Sequence, residues 1–450
     1  MSLKDSTIGL LPFRRRAPGP ASSRTKPLAI AAISAYAERQ KARSASGEHI
    51  DIMKAISGTN LEKAKAHNRR VVIEAIRTSG PLSRAEIARL TALTAQTVSN
   101  IVEELEGSEL LKADSPQKLA RGQPFTPYSI NPDGAYSIGL ELERDHAAGV
   151  LTDLSGTIRA RIVRPIDPPT PERAIPILAA ISAELQTAFP FERDRLLGAG
   201  IAMPGRYAAE GVTSLTPIAL PGWQHYEVGP ALEALLGMPV LVENDATAAA
   251  IGERLYGVAR GLSSFVYLFL GGGIGAGLFL DGHLYRGSRA NAGEIGHIVV
   301  EPDGLPCVCG KRGCLDRYVS LGAAYEYLKI DDPGAHSVEE LDAIVETAGP
   351  ALDGWLDAAA EAMRRTIDFL ELAFDPQTIV LGGPMPAGLL RRLAALMEPL
   401  YPPVNPEEER RIARIMIAAT GKDTSILGAA ALPVFSETNP QFAVLQKSVS

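Results

Sequence analysis

From His67 to Gly107 apolar and polar positions alternate with a helical period. Val71, Val72, Ile73 and Ile76 predict a helix that Gly80-Pro81 ends. Ser83 opens S-R-A-E, a capping box in which Glu86 reaches back to the Ser83 amide. A short helix with Ile87, Ala88 and Leu90 follows, then the turn Thr91-Ala92-Leu93. Thr94 caps a further helix, with Val98, Ile101, Val102 and Leu105 inside and Gln96, Thr97, Ser99 and Asn100 outside. Leu110-Leu111-Lys112 and the later TPYSI predict two strands, and the polar stretch between them ends in Arg121-Gly122-Gln123-Pro124.

From Tyr136 the pattern turns to strands. YSIGLEL and HAAGVLTDLSGTI predict a strand pair, RIVRPI extends the sheet, and 171–189 is helical. LLGAGIAMPGR and MPVLVEND are further strands, each with special residues at its carboxyl end. FVYLFLGGGIGAGLFLDGHLY begins a second strand set, followed by the long helix ALDGWLDAAAEAMRRTIDFLELAF and the strand TIVLGG. Similar β-rich beginnings near 136 and 264 predict a duplicated, two-lobed α/β body rather than one doubly wound sheet.

At 450 residues and 46% hydrophobic content the chain can hold two or three domains. No apolar run reaches the roughly 18–20 residues needed to span a bilayer, so a soluble, cytoplasmic protein with no membrane partner is expected. The net charge of −7 is uneven. Residues 1–124 carry 20 Lys+Arg against 12 Asp+Glu, and the remainder 25 against 40. A basic front on an acidic body points to a nucleic-acid contact at one end. Residues 1–60, with Arg14-Arg15-Arg16 and scattered prolines, are expected to be a largely disordered basic tail, with one short helix at 28–42.

Two short helices joined by a tight turn, the second led by small polar side chains, match helix-turn-helix arithmetic. Gln and Asn pair with adenine edges, and Ser and Thr contact bases or phosphates. A basic tip between two strands can enter the minor groove. The candidate DNA contacts are Ser83, Arg84, Gln96, Thr97, Ser99, Asn100, Arg121 and Gln123. A three-helix bundle that binds nothing is the alternative.

All three cysteines, Cys307, Cys309 and Cys314, fall within eight residues, and His297 lies ten residues ahead of them. Three scattered core cysteines would rarely cluster so, and a disulfide suits an oxidising compartment for which no secretory signal is present. Three thiolates and one imidazole complete a tetrahedral zinc set. With no open position for water, the zinc would be structural.

The chain resembles the ROK family (repressors, open reading frames and sugar kinases) over roughly residues 60–432. The resemblance rests on SRAEIA with TAQTVSNIVEEL, LPGW, VENDATAAAIGE, GGGIGAG, GEIGH, CVCGKRGCLD and IVLGG. It implies an N-terminal winged helix-turn-helix, like that of the ROK repressors for N-acetylglucosamine and xylose. It also implies a body with the two-lobed, actin-like or hexokinase-like α/β fold of the ROK kinases. The implied division is a tail at 1–60, a DNA-binding domain at 61–130 and a sugar-kinase-like domain at 135–450. The second lobe would begin near 246, and the C-terminal helix would return to the first.

In ROK kinases the VEND asparagine binds sugar hydroxyls and its aspartate is the general base; here these are Asn244 and Asp245. Glu294 and His297 match the family's sugar-contacting pair, the histidine also being a zinc ligand. Gly205 and Arg206 lie in the loop facing the sugar. Asp316 stands where the family has glutamate. The family's D-x-G-G-T-K phosphate loop aligns with Glu141-Leu142-Glu143-Arg144-Asp145-His146, which lacks both glycines. Carboxylates at 143 and 145 would oppose phosphate oxygens at a cost of several kcal/mol. Gly271-Gly272-Gly273-Ile274-Gly275 keeps the second phosphate loop, with glycine replacing the usual threonine.

The expected function is a sugar-responsive transcriptional repressor with no catalytic residues in use, Asp245 being a vestigial base. Its partners would be operator DNA, a sugar or sugar derivative, and further copies of itself in a homodimer or homotetramer. An active sugar kinase with an accessory DNA-binding head, and a regulator controlled by a sugar-transport protein, are the alternatives.

Overall fold

A computed structural model describes residues 61–117, 124–208, 211–213, 222–224, 226–288, 291–331, 333, 336–404 and 410–440. The expected tail at 1–60, Arg121 and Gln123 lie outside these residues.

The N-terminal unit has three helices, Leu61–Ser79, Arg84–Thr91 and Ala95–Gly107. Strands β1 (Leu82–Ser83), β2 (Leu111–Ala113) and β3 (Pro127–Ile130) form an antiparallel sheet in the order β1-β3-β2. The capping box forms as its spacing predicts: Glu86 N donates to Ser83 Oγ (3.3 Å) and Ser83 N to Glu86 Oε2 (2.8 Å). Ala92 ends its helix in the left-handed region at φ 55°, which makes the following turn tight at a cost of about 1 kcal/mol. Val72, Ile76, Ile87, Val98, Val102 and Leu105 close the core of this unit.

The body is built twice on one plan. Its first sheet has the order β10-β7-β4-β5-β6, and its second β13-β12-β11-β14-β15. The first comprises β4 (Tyr136–Leu142), β5 (His146–Asp153), β6 (Ile158–Pro165), β7 (Leu196–Met203) and β10 (Val240–Asn244). The second comprises β11 (Phe265–Leu270), β12 (Ile274–Leu280), β13 (His283–Leu284), β14 (Thr378–Gly382) and β15 (Ile415–Ile417). In each, three antiparallel strands are followed by two parallel ones. A small hairpin of β8 (Arg206–Ala208) and β9 (Gly211–Thr213) follows β7.

Two Ala-rich helices lie between the sheets. Asp245–Tyr256 packs on β11 and β12, Thr424–Thr438 packs on β4 and β7, and the two pack on each other. Small residues make this possible. A Cβ on Gly428 would stand 2.4 Å from the Ala248 carbonyl carbon, and one on Gly200 2.0 Å from Ala429 O. Helices Pro171–Ala188 and Val228–Leu236 cover the first sheet, and Asp353–Phe374 and Ala387–Leu396 the second. No described helix is long and apolar enough to cross a membrane.

Candidate functional site

β10 ends at Asn244, which also caps the helix Asp245–Tyr256. Asn244 Oδ1 accepts from Ala246 N (3.0 Å) and Thr247 N (3.4 Å), satisfying amides that a helix start leaves open. Asn244 Nδ2 donates to Gly205 O at 2.9 Å, so β10 and the turn after β7 meet at this residue. Asp245 accepts from Ala246 N at 2.8 Å. It keeps some solvent contact, yet desolvation, with the Glu294 charge adding, pushes its carboxyl up to about 7.

Glu294 comes from the segment after β13. Its carboxylate lies 3.8 Å from His297 Nε2, while His297 Nδ1 faces Cys307 Sγ at 3.6 Å. The two ring nitrogens therefore look in opposite directions, one to the carboxylate and one to the thiol cluster. Asp316 is buried and accepts from Ile274 N at 2.8 Å, tying the glycine turn 271–273 to this floor. Burial raises its carboxyl, against the pull of the Ile274 amide. Gly205, Asn244, Asp245, Glu294, His297 and Asp316 thus lie near one another. Arg206 is in β8, and its side chain lies outside the described residues.

The ligand atoms of His297, Cys307, Cys309 and Cys314 all lie within 4.8 Å of one another. Cys309 Sγ and Cys314 Sγ are 3.6 Å apart. A tetrahedral ion with metal–sulfur bonds of about 2.3 Å requires sulfur–sulfur distances of about 3.8 Å, so the cluster fits a metal. Gly310 (φ 89°) and Gly313 (φ 74°) make the turns of the knuckle. A Cβ on Gly313 would stand 1.6 Å from Glu301 O.

The β4–β5 turn carries Glu143, Arg144 and Asp145. Arg144 Nη1 donates to Pro333 O at 2.8 Å and Nη2 to His336 O. Asp145 Oδ2 accepts from Val338 N (2.8 Å) at the start of the helix Val338–Thr347, and its other oxygen meets His146 Nδ1 (2.7 Å). The turn is thereby fastened across to the second lobe. Lys422 adds an ion pair to Asp342 on the same helix. Desolvation pushes Glu141 up to about 7, opposed by the charge of Arg161. Desolvation and the neighbouring Glu141 push Glu143 up to about 8. Sequence reading missed these cross-lobe ties, and also the ion pair between Glu243 in β10 and Arg286. No local motif signals them.

In the N-terminal unit Gln96 and Asn100 are exposed, and Gln96 Nε2 donates to Asn100 Oδ1 at 2.9 Å. Thr97 and Ser99 are half-buried beside them. Ser83 is buried in its capping box, and the Arg84 guanidinium lies 5.3 Å above the Tyr128 ring.

Residues 137–434 match the family model described as ROK family. The chain is 30% identical over 265 residues to the xylose repressor of Bacillus subtilis, covering 59% of this chain and 68% of that one. A ROK family transcriptional regulator, described as a homologue of the Escherichia coli Mlc protein, shares the fold. It has a TM-score of 0.65 at 22% identity, over 86% of this chain and 99% of its own. The ROK hexokinase of Thermus thermophilus aligns with a TM-score of 0.52 at 28% identity, over 66% of this chain and 97% of its own. The body has the actin-like, hexokinase-like α/β fold of these proteins, and the chain belongs to the ROK family.

Proposed function

We propose that the protein is a sugar-responsive DNA-binding transcriptional repressor whose kinase-like body senses its ligand without phosphorylating it. The observation that carries this reading is the pairing of a complete polar floor with an altered phosphate turn. Asn244, Asp245, Glu294, His297 and Asp316 offer donors and acceptors for several hydroxyls of one sugar. Opposite them, Glu143, Arg144 and Asp145 present side chains where a phosphate cradle uses bare backbone, and two of them are engaged across the lobes. Zinc held by His297, Cys307, Cys309 and Cys314 would fix the loop carrying Glu294. It would act as a structural ion and supply no chemistry.

In this reading residues 61–130 form a winged helix-turn-helix, with β2 and β3 as the wing. Gln96, Thr97, Ser99 and Asn100 lead its recognition helix. The remainder from about 135 is the sensor, in two lobes. Two-fold operators call for a homodimer or homotetramer in the cytoplasm. The repressor named among the relatives supports this assignment.

A second reading, an active sugar kinase, has one specific support. Asp245 keeps the position of a general base, and its carboxyl is raised to about 7, a suitable value for one. One experiment separates the two. The purified chain is heated with and without D-xylose or D-glucose, and then incubated with each sugar and radiolabelled ATP. A sensor gains thermal stability by mass action, loses that gain in Glu294→Ala, and transfers no label. Label transfer that vanishes in Asp245→Asn would establish the kinase.

A further inference from the structure

We infer that the two helices between the sheets carry the state of the site to the N-terminal unit, and that the largely buried Arg254–Glu74 pair is the joint. This rests on the reading of the site as an effector site. The helix Asp245–Tyr256 begins at the site, where Asn244 and Asp245 sit. Nine residues later, about 13 Å along at 1.5 Å per residue, it reaches Arg254. Arg254 Nη2 bonds Glu74 Oε1 at 2.6 Å on the helix Leu61–Ser79. Arg77 pairs with the other oxygen of Glu74.

The C-terminal helix makes a second strut. It begins at Thr424, just after Lys422, whose ion pair with Asp342 joins it to the helix whose first amide, Val338 N, donates to Asp145. It ends on the same N-terminal helix. Arg70 Nε donates to Glu437 O (2.9 Å) and Nη2 to Ser436 O (3.3 Å), and His67 Nδ1 meets Pro440 O at 3.2 Å. The cationic Arg70 suits the negative end of that helix. His67, Arg70, Glu74 and Arg77 recur every three or four positions, so one face of the N-terminal helix takes both struts.

The struts cannot slide past each other freely. Gly428 is seated against the Ala248 backbone. Buried Glu253 accepts from Thr420 Oγ1 (2.8 Å) just ahead of the C-terminal helix, and from Val258 N (2.8 Å) at the end of its own. Close packing of this kind moves in steps rather than by continuous deformation. The joint has the character of a registry device. Arg77, Arg254 and Glu74 are largely buried, and Nε and Nη1 of both arginines find no hydrogen-bond partner among the described residues. A buried ion pair of this kind adds little stability but is intolerant of displacement.

The test needs neither sugar nor operator. Hydrogen exchange is followed on the full chain in segment 61–79, with segment 353–374 as a monitor of global stability. Asn244→Ala removes the cap at the site end, Arg254→Gln cuts the joint, and the double variant combines them. Asn244→Ala should speed exchange in 61–79 by about 5-fold or more while leaving 353–374 unchanged. In the Arg254→Gln background it should add nothing. If Asn244→Ala fails to fold, the milder Asn244→Asp replaces it, and Glu74→Gln read at 244–248 tests the reciprocal direction. Unchanged exchange in 61–79, or effects that add fully, overturns the inference. A coupled protein that no sugar stabilises would instead sink the sensor reading and leave the joint intact.

Discussion

Replacing Glu143 with Gln should stabilise the protein, and more so as pH rises. A glutamate ionises near 4.5 in the unfolded chain, whereas burial and the Glu141 charge hold folded Glu143 at about 8. The folded state therefore keeps a proton that the unfolded state releases. The sign follows from linkage: wild-type stability falls as pH climbs from about 4.5 to about 8 and is level above that. At face value a rise of this size corresponds to about 5 kcal/mol. Two features reduce it. Glu143 keeps partial solvent contact, and part of its rise is repulsion that relaxes when Glu141 holds a proton. About 2 kcal/mol is a reasonable expectation, equivalent to an increase of about 3–4 °C in unfolding midpoint for a body of this size. Calorimetric scans of wild type and Glu143→Gln at about pH 5 and about pH 8.5 read it directly. The variant should gain at the higher pH and nearly coincide with wild type at the lower. A gain independent of pH, or a loss at the higher pH, would refute a proton-holding Glu143.

Cys309→Ser should lower the metal content of the purified protein, measured by emission spectrometry, and abolish any sugar-dependent thermal shift. A variant that still responds normally would uncouple the knuckle from the site. Gln96→Ala with Asn100→Ala should weaken operator binding by about 2 kcal/mol or more while leaving non-specific DNA affinity nearly unchanged, in titrations at fixed salt. Equal losses on both DNAs would argue against base reading. Gly428→Ala should cost about 1–3 kcal/mol in thermal unfolding, because its methyl group meets the Ala248 backbone at 2.4 Å. An unchanged midpoint would show that the two central helices part more easily than their packing implies.

Features set by neighbouring residues were legible in the chain. The capping box at Ser83, the cap at Thr94, the thiol cluster and the duplicated strand sets all follow from short-range spacing and alternation. The first described helix was less legible. It starts at Leu61, yet LEKAKA has no apolar period and only good helix formers. β1 was missed because two residues carry no alternation, and its existence depends on β3, over forty residues away. Least visible were the ties across the molecule. Arg254 and Glu74 are 180 residues apart, and Arg144 and Pro333 189. Nothing near Arg144 distinguishes a residue that fastens two lobes from one in an ordinary solvated turn.

Whether the molecule is a sugar-sensing DNA regulator is tested most directly by selection on DNA. Full-length protein is mixed with sheared DNA from its own genome, retained fragments are sequenced, and retention is repeated with D-xylose, D-glucose and a wider sugar panel. A sugar-responsive repressor retains a small set of fragments sharing a two-fold motif, and one sugar changes that retention in wild type but not in Glu294→Ala. Retention of no specific fragment, or a motif whose binding no sugar alters, would contradict it.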